Sequence, residues 1–309
     1  MMNNLEKLKI PDGADGAIIT SDINRRYFTG MKSSAGTILK FKDTAYLIID
    51  FRYIEKARKT VKNCEVIEQG NLTEQINSLM KKHNAKSLAV ESMDMTVHRL
   101  HFFREKFPDA EFIDSDELSN NIYDMRTVKN ADEIEKIQKA QEIAEKAFDE
   151  ILGFIRPGIT EREIALKLDG CMLENGAESL SFETIALAGK NTSMPHGVPG
   201  NYRVQSGDFV LMDFGAVYDG YHSDMTRTVC VGQPTEKMRN VYNIVLDAQL
   251  KALDAVHAGM NGSELDAMAR DHIEQNGYGD NFGHSLGHGV GMETVSYTHL
   301  RAHETKANL

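Results

Sequence analysis

The sequence predicts a two-domain α/β (α+β) protein, and three observations carry that reading. Short apolar runs bounded by turn residues alternate with helical spacing before about residue 125; a helix–helix pattern with matching caps and stops recurs after it; and residues 208–229 read as a strand pair with two aspartates on one face. The boundaries this predicts are 1–125 for the first domain, 126–293 for the second and 294–309 for a tail of different character.

In the first domain, residues 16–20 (GAIIT), 37–41, 45–50, 64–68 and 87–91 are the predicted strands, with helices over 72–83 and 95–107. Tyr27, Phe28 and Gly30 in NRRYFTG follow the first strand, where an aromatic pair belongs to the core more often than to a site. His98 and His101 stand at i and i+3 on a predicted helix with no carboxylate nearby in sequence, which favours a packed or solvated face over a metal site.

In the second domain, Asn130 with Glu133 opens a long amphipathic helix marked by Ile134, Ile137, Ala144, Phe148, Ile151 and Ile155, stopped by Pro157-Gly158. Thr160 with Glu163 opens a second helix ending at Asn175-Gly176. The design returns over about 235–257 and 263–276 at a gap-free offset of 101, which places Gly158 on Gly259, Ile164 on Leu265 and Asn175-Gly176 on Asn276-Gly277. A duplicated helix–helix–sheet unit is expected, its two copies related by an approximate two-fold. After the first pair come a strand over 181–188, the loop SMPHGVPG and the acidic hairpin; after the second comes NFGHSLGHGVGME, and a second hairpin is expected to be missing.

The hairpin is DFVLMDFGAVYDGYHSDMTRTV, with strands over 209–216 and 222–229 and Asp219-Gly220 as a two-residue turn that needs positive φ. If Tyr218 faces Tyr221, Asp213 faces Thr226 and Gly215 faces Asp224, all on one face. Asp213 and Asp224 are then diagonal neighbours, about 7–8 Å apart at Cα, with Gly215 leaving room above it. An exposed hairpin with two solvated aspartates is the plain alternative, but Asp is depleted in strands and two on one face repel unless something positive lies between them. His196 in MPHGVP and His284 and His288 in FGHSLGHGVG complete a His/carboxylate set suited to a hard or borderline divalent cation.

Composition excludes other classes. With 309 residues, 41% hydrophobic and 26% charged, the chain can bury a sizeable core, and its net charge of −11 without a Lys/Arg run argues against a nucleic-acid partner. No stretch reaches membrane-span length and the N-terminus lacks the apolar core of a signal peptide, so a cytoplasmic location with no membrane partner is expected. Cys64, Cys171 and Cys230 are odd in number and widely spaced, which fits small core residues rather than a disulfide framework.

MPHGVP, LMDFGA, HSDMTRT and GHSLGHGVGME, in that order along the chain, closely resemble the methionine aminopeptidase/prolidase ("pita-bread") superfamily, and within it the Xaa-Pro peptidases, prolidase and aminopeptidase P. The resemblance runs from Met1 to Glu293 and implies a creatinase/prolidase-type N-terminal domain followed by a pseudo-two-fold pita-bread domain whose second half is incomplete. It implies hydrolysis of a peptide with proline in second position by two divalent metal ions, manganese first, with cobalt, iron or zinc as alternatives, and a homodimer for the full-length protein. By the same resemblance Asp213, Asp224 and His288 are metal ligands, Asp224 bridging, while His196 and His284 are the catalytic histidines that handle substrate or leaving amine. A creatinase-like amidinohydrolase or a non-catalytic binding relative remain the alternatives.

The sequence departs from the family where two Glu ligands are expected beyond His288, and at Val295, where a further histidine is expected. SYTHLRAHET in the tail resembles the translation of a sequencing adapter, so the chain is expected to be truncated, impaired and foreign from about Thr294, and His299, His303 and Glu304 are not expected to serve as ligands.

Overall fold

A computed structural model describes residues 4–295; the tail positions His299, His303 and Glu304 lie outside the described residues. The chain divides into two compact units between Val128 and Lys129.

The first unit is built on a sheet of β1 (Gly16–Ile19), β2 (Thr37–Phe41), β3 (Ala45–Ile49), β4 (Glu65–Glu68), β5 (Ser87–Val90) and β6 (Glu111–Ile113), in the order β4-β3-β2-β1-β5-β6. Pairing is antiparallel for β1–β2 and β2–β3 and parallel for the remaining neighbours. The inner strands are apolar on both faces because both faces are covered: Ala17 and Ile19 enter one core with Leu47 and Ile49, while Ile18 enters the other with Tyr46 and Ile48. The covering helices are α1 (Asn4–Lys7), α2 (Asp22–Thr29), α3 (Ile54–Thr60), α4 (Leu72–Lys82), α5 (Val97–Lys106) and α6 (Glu117–Thr127).

Four of these, α1, α2, α3 and α6, and the strand β6 were not expected from the sequence. NRRYFTG lies in α2, capped by Ser21 and closed by Gly30 at φ +70°, with Phe28 in the core. The helix fully buries Arg25, whose guanidinium is satisfied by Ser33, Gly36, Thr20 and Asp22, and a buried arginine masks the apolar stripe on which a sequence reading depends. His98 and His101 are exposed on α5.

The second unit begins with α7 (Ala131–Leu152) and α8 (Glu161–Glu174), each opened by a complete capping box, Asn130 with Glu133 and Thr160 with Glu163. α7 stops before Ile155, which packs from the following loop, so the helix ends short of the Pro157-Gly158 stop. β7 (Ser179–Leu180) and β8 (Ile185–Ala188) replace the single strand expected over 181–188. Beyond a loop come β9 (Phe209–Phe214), β10 (Ala216–Tyr218), β11 (Tyr221–His222) and β12 (Met225–Cys230), forming sheets β11-β10-β7 and β12-β9-β8. Val210, Met212 and Phe214 of β9 pack with Ala144, Ala147, Ile164 and Leu168 of the helix pair.

The hairpin keeps the constant-sum register, Tyr218 opposite Tyr221 and Thr226 opposite Asp213, around Asp219 and Gly220 at φ +45° and +83°. It does not run as two unbroken strands. The Ser223 hydroxyl accepts the Ala216 N–H at 3.0 Å in place of a backbone carbonyl, and the ladder parts there. Gly215 is not a vacancy, for a Cβ on it would stand 2.0 Å from the Ser223 carbonyl oxygen: glycine is required by the approach of two backbones.

The second helix pair, α9 (Glu236–Ala255) and α10 (Gly262–Gln275), follows the offset of 101 closely. α8 and α10 correspond end to end, and buried Ile143, Ala147, Ile151, Ile164, Leu168 and Met172 correspond to buried Ile244, Ala248, Ala252, Leu265, Ala269 and Ile273. Glycines at the matched stops, 158 with 259 and 176 with 277, all have positive φ. Cys64, Cys171 and Cys230 are free thiols. Among the described residues no helix is long and apolar enough to cross a membrane.

Candidate metal centre

Period-two alternation in β9 sends Val210, Met212 and Phe214 into the core, and therefore sends Asp213 to the opposite face. There its Oδ1 accepts a 2.8 Å hydrogen bond from the Thr226 hydroxyl on β12, as the register requires. Asp224 sits where the ladder parts before β12.

His288 reaches the same place from the glycine-rich loop beyond α10. The His222 amide donates to the Gly291 carbonyl at 2.8 Å, and the Thr294 hydroxyl donates to Ser181 at 2.9 Å, so the end of that loop lies along the hairpin. His288 Nε2 stands 3.3 Å from an Asp224 oxygen, and its Nδ1 lies 3.0 Å from the Gly289 carbonyl. With Nδ1–H on a carbonyl, Nε2 is the nitrogen left to bind, the arrangement that orients metal-ligating imidazoles.

Asp213, Asp224, His288 and His196 line one cavity of about 460 Å³, together with Phe182, Glu183, Thr184, Ile185, Gly197, Val198, Pro199, Thr294 and Val295. Burial pushes the Asp213 carboxyl above the usual carboxylate range and the Asp224 charge adds to this, against the Thr226 hydrogen bond and the pull of His288 and His196. The hydrogen bond to Asp224 raises His288, against partial desolvation. A cation between the carboxylates would relieve the conflict at Asp213, and two carboxylates with an imidazole fit a hard or borderline divalent ion in kind. The side chains are not gathered into a finished cage: among the described residues no group of three or more His, Cys, Asp and Glu is close enough to hold an ion.

His284 stands apart from the other named residues. It is not part of the cavity lining; its Nδ1 lies 2.8 Å from the Ser285 carbonyl and its ring meets Phe282 edge-on at 5.1 Å. Glu183, a carboxylate in the lining, was not foreseen, since SFETIALAG reads only as a strand.

Metallopeptidase family M24 matches residues 135–308, and the creatinase/prolidase N-terminal domain matches residues 3–128. The chain belongs to family M24. It carries the pita-bread fold of the Xaa-Pro peptidase branch behind a creatinase-like N-terminal domain. The chain is 39% identical to an Xaa-Pro dipeptidase of Pyrococcus furiosus over 308 residues, 98% of this chain and 86% of that protein. It is 42% identical to an uncharacterized peptidase of Bacillus subtilis over 282 residues, 91% of this chain and 79% of that one. Among solved structures, an X-Pro aminopeptidase from Thermotoga maritima matches with a TM-score of 0.91 at 36% identity, over 97% of this chain and 85% of that one. An Xaa-Pro dipeptidase from Bacillus anthracis matches at 0.89 and 39%, over 94% and 81%. A peptidase of this family implies divalent metal ions.

Proposed function

We propose that this M24 peptidase hydrolyses Xaa-Pro peptide bonds, as an Xaa-Pro dipeptidase or aminopeptidase, in the cavity lined by Asp213, Asp224, His288 and His196. The gathering of those four side chains from a strand, a ladder break and two loops is the observation that carries the reading. The relatives named as Xaa-Pro dipeptidase and X-Pro aminopeptidase support the substrate class.

Asp213, Asp224 and His288 would hold two divalent ions, manganese by preference. Bound ions supply Lewis acidity for the scissile carbonyl and lower the pKa of the attacking water. The residues of the chain then do the placing. Thr226 fixes the Asp213 carboxylate, Gly289 fixes the His288 ring, and His196 lines the same cavity, where it would contact the substrate. A bond preceding proline is a tertiary amide with no N–H to donate, so the substrate must be held by its ends and its carbonyl rather than by that donor. Phe182, Ile185, Val198 and Pro199 give the cavity an apolar wall for the ring. Among the described residues three ligand side chains would serve two ions, which makes a weak site, so slow turnover is expected. His284, away from the lining, is assigned a smaller role than His196.

The test is hydrolysis of an Xaa-Pro dipeptide against the matching Xaa-Ala dipeptide, with added Mn²⁺ and with chelator. Slow turnover confined to Xaa-Pro, dependent on Mn²⁺ and lost in Asp213→Asn, is expected. Equal cleavage of both dipeptides, or activity that survives chelation, would overturn the proposal.

A further inference from the structure

Both histidine-bearing loops of the cavity are tied back to the helix pair that precedes them, and in each case the tie is a buried carboxylate. Glu161, the first residue of α8, is 1% exposed. One of its oxygens accepts from the Ala188 amide at 2.8 Å and from Asn191 Nδ2 at 2.9 Å; the other accepts from the Gly200 amide at 3.0 Å. These donors bracket the loop that carries His196. Asp266, one turn into α10, is 3% exposed and accepts from the Leu286 amide at 2.7 Å and from Arg270 Nε and Nη2 at 2.7 and 3.2 Å. Arg270 in turn donates to the carbonyls of Phe282 and His284 at 2.7 and 2.9 Å, its guanidinium 4.6 Å over the Phe282 ring. These bonds hold the near end of the loop that carries His288.

An unsupported carboxylate this deep is costly. A helix surface has no need of one, and each is satisfied by donors from the loop it faces, with Arg270 bridging in the second case. The two helix pairs share their buried apolar positions at an offset of 101, yet the carboxylates do not share one: Glu161 corresponds to Gly262 and Asp266 to Ala165. Each anchor is therefore particular to its own loop rather than a feature of the repeated unit.

We propose that Glu161 and the Asp266–Arg270 pair are separate positioning residues of the site, Glu161 setting the His196 loop and Asp266–Arg270 setting the His288 loop. Neither touches substrate. Resting on the functional reading above, Asp266 governs cation affinity through His288, while Glu161 governs how substrate meets His196 and leaves cation affinity alone.

The test pairs amide hydrogen exchange with Mn²⁺ titration on the full chain and on Asp266→Asn, Arg270→Lys and Glu161→Gln. Loss of a charge-assisted hydrogen bond is worth roughly tenfold or more in a local opening equilibrium. Asp266→Asn and Arg270→Lys are expected to speed exchange at residues 282–289 by that factor while residues 189–200 keep the parent rate, and Glu161→Gln to do the reverse. Asp266→Asn is expected to weaken Mn²⁺ binding by about 10–100-fold, the range for partners that orient a ligand, with Glu161→Gln at the parent affinity. Both loops opening together in either single variant, or an unchanged 282–289 segment in both Asp266→Asn and Arg270→Lys, would overturn the proposal. If the parent chain binds no Mn²⁺, the metal reading falls, and the exchange pattern still decides the anchoring.

Discussion

The helix pairs α7/α8 and α9/α10 share caps, stops and buried register, yet the same positions meet different surroundings. Ala144 of α7 is fully buried against the sheet, whereas its counterpart Val245 on α9 is 55% exposed. Val245, Leu246, Leu250 and Leu253 leave an apolar strip on α9 exposed, while Ile244, Ala248, Ala269 and Ile273 form the seam with α10. The seam between paired helices is encoded within each unit. The outer face depends on a sheet, which lies against the first pair through β9 and β10.

That contrast gives the largest expected effect. Leu168→Ala in the first pair removes a fully buried side chain and is expected to cost about 2–5 kcal/mol. Leu250→Ala on the exposed strip is expected to stay within about 0.5 kcal/mol. Urea midpoints of the two variants measure the difference, and equal losses would mean that the α9 strip is covered in solution.

The histidines that follow the two pairs sharpen the comparison next. His196→Ala is expected to lower kcat/KM for an Xaa-Pro dipeptide by about 100-fold, in the range for a group acting directly on a proton or substrate. His284→Ala, outside the cavity lining, is expected to lower it by less than about tenfold. The reverse order would show that the loop swings His284 inward when substrate binds. A smaller and symmetric effect is expected at the stops: Gly158→Ala and Gly259→Ala, at φ +94° and +87° with open space around both, should each cost about 1–2 kcal/mol by thermal unfolding. Unequal costs would break the equivalence of the pairs at the point where it looks closest.

Much of this was legible because local rules encode it. Asn130 with Glu133 and Thr160 with Glu163 are capping boxes in the structure as in the sequence, and the parity of a two-residue turn was enough to place Asp213 opposite Thr226. Interactions between segments were not legible. The ladder parts at Gly215 because the Ser223 hydroxyl replaces a backbone acceptor, and nothing in GAVYDGYHSD marks that serine from any other. Glu161 and Asp266 read as ordinary helix acids until the loops they hold are seen, and Glu183 is distinguished only by the wall it occupies. His284 and His288 share one glycine-rich motif, yet only the second lines the cavity.

The smallest expected effect tests one more matched position. Asp169 of α8 corresponds to Arg270 of α10 at the offset of 101, and the two have opposite fates: Arg270 is paired with Asp266, while burial pushes the Asp169 carboxyl above its usual range. The Thr184 hydroxyl moderates that rise, but Asp169 Oδ1 and Thr184 Oγ1 are both buried without a hydrogen bond of ordinary geometry among the described residues. A carboxyl whose folded-state pKa is raised binds its proton more tightly folded than unfolded, so its contribution is most favourable below the unfolded value of 3.8 and declines as pH rises from there through the folded value. Asp169→Asn cannot ionise and removes that decline. Denaturant midpoints of parent and variant, compared from about pH 4 to about pH 7, should therefore separate as pH rises, with the variant gaining relative to the parent. A constant separation would mean that Asp169 ionises as freely in the folded chain as in the unfolded one, and that the first helix pair tolerates an unpaired acid where the second requires a paired base.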